Sequence, residues 1–209
     1  MSLMEVLAYQ IIALIVSLTL HEFAHAWAGD FLGDTTARSH GRLTLNPAAH
    51  IDPFFTLLLP LFLIFVGSPV VFGAAKPVPF NPWAVRYGKW GAALVALAGP
   101  LTNLLIAVFL SLWLRLFSLP SGPSNLLMAF IAVNIAFFVF NMIPFPPLDG
   151  SRVLYAAAPL GLRRVMDSIE RAGVMAIVIF MFVGFPIIRP LMQAAVLGLG
   201  RILLPNFSF

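Results

Sequence analysis

The sequence predicts an all-α polytopic membrane protein with about five to six membrane segments, and three observations predict it. Of 209 residues, 61% are hydrophobic and only 10% charged, where soluble domains run near 45–50% apolar and about 25% charged. Apolar runs recur at close to the roughly 20 residues that a bilayer crossing needs. The breaks between them are polar and rich in Pro and Gly, as expected of segments outside the hydrocarbon. A water-facing surface cannot be built from 12 basic and 8 acidic residues while 20 phenylalanines also need hiding, and a mean hydropathy of +0.99 excludes disorder. The net charge of +4 comes from Lys and Arg scattered between apolar segments. They therefore mark topology on a lipid bilayer, and no nucleic-acid partner is expected. With no cysteine, disulfides, thiolate ligands and a cysteine nucleophile are excluded.

The elements follow in order. Leu3–Ala28 qualifies as a first span. Ala26-Trp27-Ala28 imitates a signal cleavage site, but Glu5 and the lack of any preceding Lys or Arg leave no basic leader region, so a retained helix is expected. Gly29–Asp52 is polar and turn-rich. Phe54–Phe72 is apolar but broken by Pro60 and Gly67-Ser68-Pro69. It is long enough for one helical crossing and too short for two, and is expected to re-enter and return as a hairpin. Gly73–Lys89 is loop. Trp90–Phe117 and Asn125–Ile143 are clear spans, the second stopped by Pro144, Pro146 and Pro147. Ser151–Arg171 reads as a short polar helical stretch. Ala172–Ile188 and Leu191–Leu204 read as two apolar segments divided by Arg189-Pro190. No internal repeat is visible, and residues 1–209 are expected to form one membrane-embedded domain. With the N-terminus outside, Arg38, Arg42, Lys76, Arg86, Lys89, Arg152, Arg163, Arg164 and Arg171 all fall in the cytoplasm. Arg115, Arg189 and Arg201 snorkel from helix ends.

The chemistry centres on His21-Glu22-Phe23-Ala24-His25. Positions four apart stack on one helical face, so both imidazoles reach one ion. Glu22 projects at a neighbouring angle, where it can act on water beside the metal. Three ionisable residues in five positions of a membrane span point to function. A catalytic zinc needs a third protein ligand and an open position. His40, His50 and Asp52 are candidates in the polar loop, while Asp30 and Asp34 read as turn or cap residues. Asp149 follows the proline-interrupted end of a span, where unwound backbone lets a carboxylate turn into a cavity and Gly150 permits a tight turn. Asn141, on the last turn before that break, faces the same cavity as a candidate donor to an oxyanion or as an interhelical hydrogen-bond partner.

His21-Glu22-x-x-His25 in one span and Asn141-x-x-Pro144-x-x-Pro147-Leu148-Asp149-Gly150 at the end of a later one resemble the site-2 protease family of intramembrane zinc metalloproteases. Gly41–Pro47 with His50–Pro53, Ala75–Pro82 and Ala98-Gly99-Pro100-Leu101-Thr102-Asn103 resemble its short prokaryotic branch, without a PDZ or CBS domain. The resemblance implies one zinc ion per chain held by His21, His25 and Asp149, with Glu22 as general base. It also implies single-span membrane proteins as substrates, and a prokaryotic cell membrane with the site towards the cytoplasm. Asn103 and His50 join Asn141 as candidate oxyanion or substrate contacts, with helix-packing and loop-capping roles as their alternatives. Two other functions stand beside the protease. One is a metal-ion transporter, which usually shows repeated halves. The other is a catalytically silent membrane binding protein, against which the intact Glu22 counts.

Overall fold

The computed structural model describes residues 2–58, 62, 63, 65 and 76–204, and every regular element among them is helical. Helix α1 (Leu3–Phe31) opens on a capping box. Ser2 Oγ accepts from the Glu5 N–H at 3.3 Å, and the Glu5 carboxylate accepts from the Ser2 N–H at 2.7 Å, so two otherwise orphaned donors are satisfied reciprocally. One short turn, α2 (Thr36–Ser39), follows. Then come α3 (Gly88–Leu116), α4 (Ser121–Asn141), α5 (Asp149–Ala157), α6 (Leu160–Arg171) and α7 (Val174–Leu203).

Among the described residues, α1, α3, α4 and α7 are long and apolar enough to cross a membrane. Of the expected re-entrant segment 54–72, only a π-helical turn at Pro53–Leu58 and three later positions are described, so the hairpin itself lies outside the described residues. Two boundaries need correction. The segments expected to be divided at Arg189-Pro190 are one continuous helix. Pro190 withholds one N–H, but lipid offers the backbone no alternative partner, so the helix persists through it. A π-helical turn at Phe180–Gly184 lies within the same helix. Conversely, Ser151–Arg171 is two helices. Pro159 disfavours helix at Ala158 and itself caps α6.

The bundle is organised around α3, which packs against α1, α4, α5 and α7. Its buried positions include Ala92, Ala96, Gly99, Asn103, Ala107 and Ser111, a stripe at three- and four-residue spacing whose small members let neighbouring backbones approach. Large apolar side chains such as Leu94, Leu101, Leu105 and Phe109 point outward instead. This pattern suits a bilayer, where lipid tails satisfy Leu as well as protein does. In one half of the bundle Ala107, Ile131, Ile135 and Leu204 form an apolar cluster with Leu110, Leu114 and Val139 around it.

Three hydrogen bonds hang the segment before α3 on the end of α1 and the loop beyond it. The Lys76 N–H donates to the His50 carbonyl at 2.9 Å, the Asn81 N–H to Asp34 Oδ2 at 2.7 Å, and the Arg86 N–H to the Leu32 carbonyl at 2.9 Å. The chain after α1 therefore returns to the end of the bundle it left.

Candidate metal centre

The metal-binding candidates come from two elements. His21 and His25 lie on consecutive turns of α1, and Asp149 is the first residue of α5. Gly150 allows that approach. A Cβ there would sit 2.4 Å from the Met142 carbonyl oxygen and 2.8 Å from that of Ile143, so the backbone can fold back on the end of α4 only without one. Gly99 does the same for α3. Its missing Cβ would lie 2.4 Å from His25 Nε2 and 2.7 Å from His21 Cε1, which brings α3 directly against both imidazoles.

Three ligand atoms converge as a result. His21 Nε2 and His25 Nε2 are 3.0 Å apart, and each is 3.3 Å from Asp149 Oδ2. Both Nδ1 atoms are engaged elsewhere, His21 with Asn103 Oδ1 at 2.6 Å and His25 with the Val95 carbonyl at 2.8 Å. These partners accept, so each ring carries its proton on Nδ1 and presents a lone pair at Nε2. Two imidazole lone pairs and a carboxylate oxygen this close repel one another unless a cation lies between them. A tetrahedral zinc at about 2.0–2.1 Å from each ligand places neighbouring ligand atoms about 3.3 Å apart. The donor set and its spacing fit zinc.

A cavity of about 260 Å³ opens on this triangle. Glu22 and Asn141 line it together with His21, His25 and Asp149. Glu22 carries no hydrogen bond to another described residue. Asn141 uses one amide hydrogen on the Phe137 carbonyl at 3.0 Å, which leaves its second for a ligand. Residues 77–80 supply one wall, and Arg152, paired with Glu170, stands at the rim.

The other candidates lie apart from the three ligand atoms. His50 is fully buried, donates from Nε2 to the Thr44 carbonyl at 2.9 Å, and is not among the residues that line the cavity. His40 is exposed and bonds the Thr36 carbonyl. Asp30 pairs with Arg38. Asp34 accepts from the Thr36 N–H and hydroxyl and from Asn81. Burial works against its charge, but these donors outweigh it and hold its carboxyl below the usual carboxylate range. Asn103 sits behind His21, fully buried and outside the cavity's lining.

Sequence reasoning missed Ser17 and Asn134, which complete a buried polar cluster with Asn103. Both carried a periodic signal. Ser17 precedes His21 by the same four residues that separate the histidines, and Asn134 lies two turns before Asn141.

Known proteins match this chain. Residues 117–185 match the sequence profile of Peptidase family M50. The chain is 36% identical over 203 residues to the "Putative zinc metalloprotease YwhC" of Bacillus subtilis (strain 168), a match covering 91% of this chain and 89% of that protein. Rip2 of Mycolicibacterium smegmatis, which bears the same description, is 31% identical over 171 residues, covering 80% of this chain and 64% of Rip2. Rip2 of Mycobacterium tuberculosis is 36% identical over 154 residues, covering 71% and 55%. No solved structure gives a match of comparable significance.

Proposed function

The chain belongs to peptidase family M50, the zinc metalloproteases of the site-2 type, and on that premise we propose that it is an endopeptidase cutting peptide bonds within or near transmembrane segments of membrane proteins, as in regulated intramembrane proteolysis. We read residues 1–209 as one such catalytic domain. The observation that carries the reading is the triangle of His21 Nε2, His25 Nε2 and Asp149 Oδ2 at 3.0–3.3 Å, inside a helix bundle and sharing a cavity with Glu22.

Depth supports an intramembrane substrate. The midpoint of α1 falls at Ser17, so His21 lies roughly 6 Å beyond it at 1.5 Å per residue. Exposed Trp27, Trp83, Tyr87 and Trp90 mark an interface at the nearer end of the bundle. Arg38, Arg42, Arg86 and Lys89 gather at that same end, which makes it the cytoplasmic one. Single cysteines at Ser39 and Tyr87 should then both label with an impermeant thiol reagent from the cytoplasmic side. Labelling of the two from opposite sides would sink this topology.

Zinc, when bound, supplies Lewis acidity to the scissile carbonyl and lowers the pKa of water towards about 7. His21, His25 and Asp149 hold it. Glu22 takes the proton of the attacking water and returns it to the leaving amine. The second amide hydrogen of Asn141 donates to the carbonyl oxygen as it gains charge. The carbonyls of a helical substrate are occupied by its own hydrogen bonds, so the segment to be cut must unwind locally before attack.

The test is cleavage profiling of candidate single-span proteins by this chain and its Glu22→Gln variant. Glu22→Gln keeps all three ligands, so zinc content should hold while cleavage falls by about 10²–10⁴-fold. A variant with near-normal turnover removes Glu22 from the mechanism. Zinc flux across liposomes without cleavage of any substrate removes the protease.

A further inference from the structure

Behind His21, away from the cavity, three polar side chains are sealed completely. Ser17, Asn103 and Asn134 come from α1, α3 and α4, and each is 0% exposed. Their hydrogen bonds form a directed chain. Asn134 Nδ2 donates to the Phe130 carbonyl at 2.8 Å and to Ser17 Oγ at 2.7 Å. Asn103 Nδ2 donates to Asn134 Oδ1 at 2.8 Å and, longer, to the Ser17 carbonyl at 3.4 Å. Asn103 Oδ1 then meets His21 Nδ1 at 2.6 Å.

The direction is fixed from its far end. A main-chain carbonyl can only accept, so the Phe130 oxygen requires the NH₂ of Asn134, and the Ser17 oxygen requires that of Asn103. With both amides set, Asn103 presents its oxygen to His21. An oxygen there can only be met by an N–H on Nδ1, which leaves Nε2 as the bare lone pair aimed at His25 and Asp149. Flipping Asn103 would set its NH₂ against His21 Nδ1, while its oxygen would face the Ser17 carbonyl and Asn134 Oδ1. Either flip opposes acceptor to acceptor among fully buried side chains, where an unpaired polar group is costly.

We propose that Asn103, aligned by Asn134 and Ser17, is a positioning residue. It holds His21 in the tautomer that offers Nε2 to zinc, and couples the ligand set to the packing of α1, α3 and α4. His25 takes a main-chain carbonyl for the same purpose and needs no such relay. The inference rests on the reading of His21 as a zinc ligand. Outer partners of metal-bound histidines commonly act this way, and their loss weakens metal binding by about 10–100-fold.

The experiment compares zinc affinity, by competition with a fluorescent chelator, in the detergent-solubilised full chain, Asn103→Leu and Asn103→Asp. Histidine ¹⁵N shifts of the zinc-free proteins serve as a second readout. Asn103→Leu should bind zinc about 10–100-fold more weakly and populate both His21 tautomers. Asn103→Asp keeps an acceptor on Nδ1 and should hold the wild-type His21 tautomer, while the oxygen that replaces its NH₂ faces Asn134 Oδ1 and the Ser17 carbonyl and should lower the unfolding midpoint. That variant decides the matter even where Asn103→Leu does not fold. Equal zinc affinity in Asn103→Leu and wild type would overturn the proposal, as would a wild-type His21 protonated on Nε2. So would an Asn103→Asp variant that populates both His21 tautomers, since its carboxylate supplies the acceptor. A wild type that takes up no zinc would instead overturn the metal reading beneath it.

Discussion

In the half of the bundle that contains the end of α1, the buried contacts joining helices are polar: His21 with Asn103, His25 with the Val95 carbonyl, and Asn134 with Ser17. In the opposite half, Ala107, Ile131, Ile135 and Leu204 meet through side chains with nothing to donate or accept, and the hydrogen bonds that join helices beside them run from Ser111 and Arg115 to main-chain carbonyls at Ile202 and Leu203. A lipid environment gives these two kinds of contact different jobs. Apolar packing there gains little over contact with lipid, so it sets how closely helices approach and leaves their register loosely specified. Interhelical hydrogen bonds in membranes average only about 0.6 kcal/mol and reach about 2. Each, however, has one satisfying geometry. The polar half therefore determines where His21, His25 and Asp149 stand, and damage to it should appear in metal binding before it appears in folding. The apolar half should show the reverse.

The sharpest way to break this contrast is at a ligand. Asp149→Ala should lower zinc affinity by at least about 100-fold, beyond the range of an outer partner, and abolish turnover with it. Asp30→Ala, which removes only the ion pair with Arg38, should leave zinc content near one per chain. If Asp30→Ala empties the site and Asp149→Ala does not, the ligand assignment is wrong.

A glycine pair sharpens it further. A methyl group at Gly99 would meet His25 Nε2 at 2.4 Å, whereas one at Gly198 has no neighbour within 4 Å. Alanine favours helix over glycine by up to about 1 kcal/mol at either position. Gly99→Ala should therefore remain folded but lose roughly 10-fold or more in zinc affinity, within the range for displaced ligand support. Gly198→Ala should keep its zinc and melt no lower than the wild type. Equal zinc affinities in the two variants would show that α3 does not shape the site.

The smallest effect belongs to the apolar half. Ile135→Val trims one methylene from a fully buried position and should cost about 0.5–1.5 kcal/mol, measured as a lower unfolding midpoint in detergent. Zinc content and cleavage should not change. A loss of activity larger than the loss of stability would mean that the apolar cluster also positions the site.

How far each half could be read from sequence follows from the same distinction. The histidine pair was legible because its geometry is local, a single turn of one helix. The place of Asp149 rested on its proline-interrupted setting and on resemblance, since nothing local says which element a carboxylate will meet. Asn134 and Ser17 were not read at all, because a lone polar residue in a span carries no chemistry until its partners on other helices are known. The wall at residues 77–80 depends on the carboxylate of Asp34 reaching the Asn81 N–H across 47 positions, a contact with no periodic signature. The continuous helix through Pro190 departs from the break its sequence suggests because a proline-broken backbone finds solvent in water and finds none in lipid.

In the proposed site two imidazoles and one carboxylate converge on one zinc with a position left open. Zinc-edge X-ray absorption on the purified full chain tests it most directly. One zinc per chain is expected, with N and O scatterers at about 2.0–2.1 Å and an imidazole contribution from two rings that drops to one in His21→Ala. A metal-free protein after zinc loading, or a spectrum that His21→Ala leaves unchanged, would contradict it.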